Sequence, residues 1–216
     1  MCTSGRERTR FVCWMLARIR RYIIEDMNKG LFIVLYGPDG VGKSRQVLML
    51  EEKLRESGLH ARNLRYPVYS CEPTGPKLDE ILHRTKKNLP EEEMQKLFAQ
   101  NRKDFEPTLK SWLENGVNVI AENYKGTGIA WGVARGMTVE KMEEMNNDTI
   151  EPDVSIYVDG PKRGESLVEG HPYGTDENED EWYKIRKVYL QMADRYGWVR
   201  VGGDAPVLVV ASRIWA

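Results

Sequence analysis

Eight consecutive residues, Gly37-Pro38-Asp39-Gly40-Val41-Gly42-Lys43-Ser44, satisfy the pattern G-x-x-x-x-G-K-[ST] in full. The glycines allow successive backbone N–H groups to turn inward around phosphate oxygens. A helix beginning near Lys43 would aim its positive end at the same oxygens. Lys43 would reach the β- and γ-phosphates, and the Ser44 hydroxyl would ligate Mg²⁺. The residues expected to hold the triphosphate are therefore Gly37, Gly40, Val41, Gly42, Lys43, Ser44 and Arg45.

The loop needs a strand before it and a helix after it, and both are legible. Leu31–Tyr36 is a short apolar run that reads as a buried parallel strand. Val47, Leu48, Leu50 and Leu54 recur at helical spacing, and Gly58 is a stop signal. Further strands are expected at 63–69, interrupted by Pro67, at 117–121, at 154–158 and at 198–201. Pro73, Gly75 and Pro76 mark a loop. Helices are expected at 77–84, 91–112, 139–146 and 180–196, with Pro107 kinking or dividing the second. The tail 207–215 reads equally as strand or helix. Strands alternating with helices predict an α/β fold: a three-layer α/β/α sandwich around a parallel sheet of about five strands. The Gly-, Pro- and charge-rich stretch 160–180 is the expected lid.

Composition narrows the function. The 216 residues carry 32 basic and 33 acidic side chains, a net charge of −1, which gives no polyanion-binding signature. No run of about 18 apolar residues is present to span a membrane. Cys2, Cys13 and Cys71 form no C-x-x-C pair, so neither zinc nor a disulfide framework is expected, and a reducing cytoplasm fits. His60, His83 and His171 have no partner pattern. Residues 1–26 differ from the rest, with six arginines against three acids. We read them as a basic extension appended to a domain at 27–216. An Arg-rich presequence or a membrane-surface helix is the competing reading.

With these elements in order, the chain resembles the thymidylate kinases, P-loop nucleoside monophosphate kinases, from about Met27 to the C-terminus. Asp39 within the P-loop, Leu97-Phe98-Ala99-Gln100-Asn101-Arg102, Glu72-Pro73-Thr74-Gly75 and Tyr66-Pro67-Val68-Tyr69 carry the resemblance. So do Glu122-Asn123-Tyr124 with Thr127, Ala130, Trp131 and Arg135-Gly136, and the stretch from Pro152 to Asp159. The resemblance implies phosphoryl transfer from ATP to dTMP, giving dTDP, with Mg²⁺. It implies that Asp39 holds the acceptor's sugar 3′-hydroxyl, that Phe98 stacks on the base, and that Arg102 contacts the base and phosphate region. Glu122 would hold a Mg²⁺-bound water, beside Ser44. Lys43, Arg102, Glu122 and Arg163 would act on the transferring phosphoryl group. Asp39, Tyr69, Phe98, Arg102, Asn123, Thr127, Trp131 and Arg135 would contact the acceptor.

Three departures stand out. Asn123 occupies the place of the family's arginine, Cys71 that of the arginine before its E-P-G-G stretch, and the lid keeps only Lys162 and Arg163. An amide cannot offer the charged fork of a guanidinium. Two other readings therefore stay open: a kinase for another deoxynucleotide or a deoxynucleoside, and a nucleotide-binding protein with little catalytic activity. Trp131 could equally fill the core, and Arg135 could equally be a surface charge. No N-K-x-D guanine-reading motif occurs at a strand end, which disfavours a GTPase. The expected partners are ATP and dTMP, without nucleic acid or membrane, and a homodimer is left open.

Overall fold

The computed structural model describes residues 29–85, 89–162 and 179–216. The basic segment 1–26, Arg163 and most of the stretch 160–180 lie outside the described residues. Five strands, β1 (Phe32–Tyr36), β2 (Ala61–Arg65), β3 (Asn118–Glu122), β4 (Val154–Asp159) and β5 (Val199–Gly202), form one sheet in the order β2-β3-β1-β4-β5. All four pairings are parallel. Parallel neighbours need crossovers, and helices supply them. These are α1 (Lys43–Glu56), α2 (Thr74–Asp79), α3 (Glu91–Glu114), α4 (Lys125–Ala134), α5 (Val139–Asn146), α6 (Glu179–Tyr196) and α7 (Val207–Trp215).

Side chains alternate across β1, so one strand feeds two cores. Phe32, Val34 and Tyr36 pack with Leu109, Leu113, Ile129 and Tyr189 of α3, α4 and α6. Ile33 and Leu35 face the other way, onto Val47, Leu50, Val210 and Ile214 of α1 and α7. This is the expected three-layer α/β/α arrangement. Leu109 is fully buried in the first core. Leu109→Ala is expected to lower unfolding stability by about 2–5 kcal/mol through lost transfer energy and a residual cavity. A shift of the denaturant midpoint at unchanged slope checks it.

Several boundaries move. The second strand begins at Ala61 and ends at Arg65, because Pro67 cannot donate to a ladder. The proline-marked loop is helical from Thr74, with Pro76 in the first turn, where a missing N–H costs nothing. That helix continues as a π-helical turn over Glu80–Thr85. The helix α3 runs on through Pro107 without dividing, and the tail is helical. The helix α4 is missed from sequence altogether. Its glycines Gly126, Gly128 and Gly132 weaken helical propensity, yet tertiary contacts demand small residues. A Cβ at Gly132 would lie 2.5 Å from the Met142 Sδ.

Candidate active site

Parallel sheets bind ligands beyond the carboxyl ends of their strands. Here β1 ends in the P-loop, β2 in Arg65-Tyr66 and β3 in Glu122-Asn123, with Leu35, Arg65 and Glu122 side by side in register. One edge therefore gathers the phosphate loop, a carboxylate and polar side chains.

At the loop, Gly42 takes a left-handed conformation (φ 97°) as the cap of α1, with no side-chain cap. Gln46 makes the first helical hydrogen bond, to Gly42 O at 3.3 Å. The N–H groups of Lys43, Ser44 and Arg45 lie ahead of that ladder, free for an anion. The Lys43 side chain is 3% exposed, and its ammonium donates to Pro38 O at 2.9 Å and Asp39 Oδ1 at 3.3 Å. Two of its three protons thus hold it over the loop, and the third can meet phosphate. The Trp182 indole donates to Asp39 O at 2.9 Å, tying the start of α6 to the same loop.

Glu122 is buried and makes no ion pair among the described residues. A buried carboxylate without an ion-pair partner among the described residues suits a hard divalent ion, and the half-buried Ser44 hydroxyl on the first turn of α1 is an oxygen of the same hard kind. Mg²⁺ commonly takes one or two carboxylates together with substrate phosphates. Among the described residues no three His, Cys, Asp or Glu side chains form a metal cluster.

Beside the loop lies a cleft of about 620 Å³, counting its open mouth. Asp39, Phe98, Arg102, Asn123, Thr127 and Trp131, all expected from sequence, line it together. Residues 98 and 102 share one face of α3, as helical spacing requires. Arg102 is 4% exposed and donates through Nε (3.1 Å) and Nη2 (2.7 Å) to Asn146 Oδ1. Burial lowers its pKa to about 10, which leaves it charged at neutral pH. Around it stand Tyr36, Tyr66 and Tyr124, whose phenols burial holds well above their ordinary range, so they stay neutral. Asn123, at φ 65°, accepts from the Thr127 hydroxyl at 3.2 Å.

Two expected residues are placed elsewhere. Tyr69 does not line the cleft and packs edge-on against His83. Arg135 stacks over Trp131 and pairs with Glu91 (3.3 Å) and Glu181 (2.9 Å). Its position behind the cleft wall depends on acids far away in sequence.

Arg65 and Gln95 are among the lining residues that the sequence did not single out. Arg65 enters the cleft from the end of β2, its buried Nε without a hydrogen-bond partner among the described residues. Gln95 lies one turn before Phe98. A charged strand end and a glutamine in a polar helix carry no local signal. Helical spacing from Phe98 would have pointed to position 95 once that face was known to line the cleft.

A P-loop at one strand end and a second, ring-sized cleft beside it define a P-loop nucleotide kinase. The thymidylate kinase family model matches residues 35–214, and the chain belongs to the thymidylate kinase family. A thymidylate kinase homologue of Invertebrate iridescent virus 6 is 30% identical over 187 residues, covering 87% of each chain. The thymidylate kinase of Dictyostelium discoideum is 26% identical, covering 87% of this chain and 84% of its own. The solved thymidylate kinase of Candida albicans shares the fold, with a TM-score of 0.68 at 22% identity over 87% of this chain and 90% of its own. No helix among the described residues is long and apolar enough to cross a membrane.

Proposed function

We propose that this protein transfers the γ-phosphoryl group of ATP to dTMP, with Mg²⁺, releasing dTDP and ADP. The observation that carries this reading is one cleft lined jointly by Asp39 of the P-loop and by Phe98, Arg102 and Thr127. A phosphoryl donor held by the P-loop and an acceptor held by the cleft would meet at a shared edge.

An oxygen of the acceptor monophosphate attacks the γ-phosphorus, and the bond to the β,γ-bridging oxygen breaks. The attacking group is largely ionised at neutral pH, so no general base is required. The chain's work is placement and charge neutralisation. Lys43 and the backbone N–H groups of α1 balance charge on the donor phosphates. Ser44 and Glu122 would hold Mg²⁺, which supplies further neutralisation when bound. Asp39 accepts from the sugar 3′-hydroxyl and Phe98 stacks on the base. Arg65 supplies the cation that Asn123 cannot, from β2 rather than β3. Thr127 and Asn123 bond to each other and fix that wall of the cleft. Arg163, from outside the described residues, would add a cation on the donor side.

The test is product formation from ATP·Mg²⁺ with each deoxynucleoside monophosphate. dTDP is the expected product, and ATP binding without any product would favour the non-catalytic reading that Asn123 motivates. A 3′-deoxy acceptor is expected to lose about 1–3 kcal/mol of binding, because Asp39 would lose its partner. Equal kcat/KM for dTMP and its 3′-deoxy analogue would place Asp39 in another role, with Lys43 alone.

A further inference from the structure

Trp182 stands in the first turn of α6, yet it does not pack where the rest of that helix packs. Ile185, Val188, Tyr189, Met192 and Ala193 fill the core shared with α3 and α4. Trp182, 4% exposed, is the one buried side chain of α6 among the described residues that belongs to the opposite core, with Val41, Val158 and Val201. The two cores lie on opposite faces of the sheet, so the ring crosses beyond the carboxyl ends of the strands. There it meets the P-loop, and its indole N–H donates to the main-chain oxygen of Asp39 at 2.9 Å.

A phenylalanine would fill the same apolar space. The nitrogen adds direction. A trans peptide is planar, so its C=O and N–H point opposite ways. With Asp39 O held on the α6 side, the N–H of Gly40 is turned away from α6. That N–H makes no backbone hydrogen bond among the described residues. Gly40 has a φ of 80° and no Cβ to restrict its dihedrals, so the peptide between residues 39 and 40 is free to turn over unless something holds its oxygen. The donor that holds it is itself fixed. Next to Trp182, Glu181 accepts from Arg135 Nε at 2.9 Å, and one turn on Arg186 Nε donates to Asp159 Oδ1 at 2.9 Å.

From this geometry we infer that Trp182 is a positioning residue that locks the Asp39–Gly40 peptide and thereby prepares both substrate sites at once. The inference rests on the proposed function above, in which the loop's N–H groups meet the donor phosphates and the Asp39 carboxylate meets the acceptor sugar. That carboxylate is 42% exposed at the cleft and bonds to Lys43 at 3.3 Å. One side of the locked peptide carries the Gly40 N–H and the other carries the Cα of Asp39, so a single indole bond governs a donor contact and an acceptor contact. Without it the peptide samples the turned-over orientation, and each ligand binds more weakly by the fraction of molecules left competent. Whichever substrate binds first then restores the orientation for the second. Loss of the bond therefore creates a coupling between ATP and dTMP, equal in both directions.

The experiment is calorimetric titration of dTMP into wild type and Trp182→Phe, each alone and each saturated with the non-hydrolysable analogue AMP-PNP·Mg²⁺. Phenylalanine keeps an aromatic ring and loses the N–H. The variant alone is expected to bind dTMP about tenfold more weakly than wild type, from one lost buried hydrogen bond. With the analogue bound, the deficit is expected to shrink to about twofold, because the phosphates now hold the peptide. A ring that merely fills the core would lower the melting temperature and leave the ratio of the two dTMP affinities at the wild-type value. Should Trp182→Phe fail to fold, benzothienylalanine at position 182 removes the N–H and keeps the bicyclic shape, and the same ratio is read. An unchanged ratio in the folded variant overturns the inference while dTMP phosphorylation by wild type stands. Failure of wild type to bind dTMP, alone or with the analogue, removes both the inference and the proposed function.

Discussion

Lys43→Ala is expected to lower kcat by on the order of 10²–10³-fold or more, the loss typical of one preorganised charge contact. Lys43 is buried over the loop and bound to Pro38 O and Asp39 Oδ1, so the ammonium is in place before ATP arrives. A charge fixed in advance pays no reorganisation as the γ-phosphoryl group moves, which is why its removal should strike turnover. The single-turnover rate with saturating ATP·Mg²⁺ and dTMP is the measurement, with melting temperature as the control for folding. Turnover near wild type in a folded variant would remove the loop from the chemistry.

Arg102→Met is expected to cost about 2–5 kcal/mol in kcat/KM for dTMP, roughly 30-fold to several thousand-fold, the range for truncating one partner of a buried charged hydrogen bond. ATP affinity should hardly change, since the P-loop holds ATP from another element. The substitution also strips Asn146 Oδ1 of both its donors. A stability loss of about 1–3 kcal/mol is therefore expected beside the kinetic one. Titration with ATP·Mg²⁺ and a denaturant melt separate the two effects. An Arg102→Met variant that folds and uses dTMP as efficiently as wild type would leave Arg102 a purely structural residue.

Local chemistry decided what the sequence alone could determine. Gly37–Ser44 needs only its own residues and the strand and helix around it, so the strand–loop–helix unit was readable directly. Strand–helix alternation specified a parallel sheet, because handed crossovers leave few arrangements open. Helix α5 lies at Val139–Asn146 as expected, with Thr138 accepting from the Lys141 N–H at its start. What the tertiary structure decided depends on partners distant in the chain. The polar side chain of Gln95 acquires direction only from Glu91 on one side and the bare Gly128 on the other. Arg65 enters the cleft because β2 stands in register with β3, and Arg135 sits behind the cleft wall because Glu91 and Glu181 draw it there. The glycines of α4 argue against a helix by propensity, and only the packed neighbours Met142, Arg102 and Gln95 explain why they are there. Periodicity reports which face of an element is apolar. It does not report which polar group another element will place opposite, because that depends on packing between elements distant in the chain.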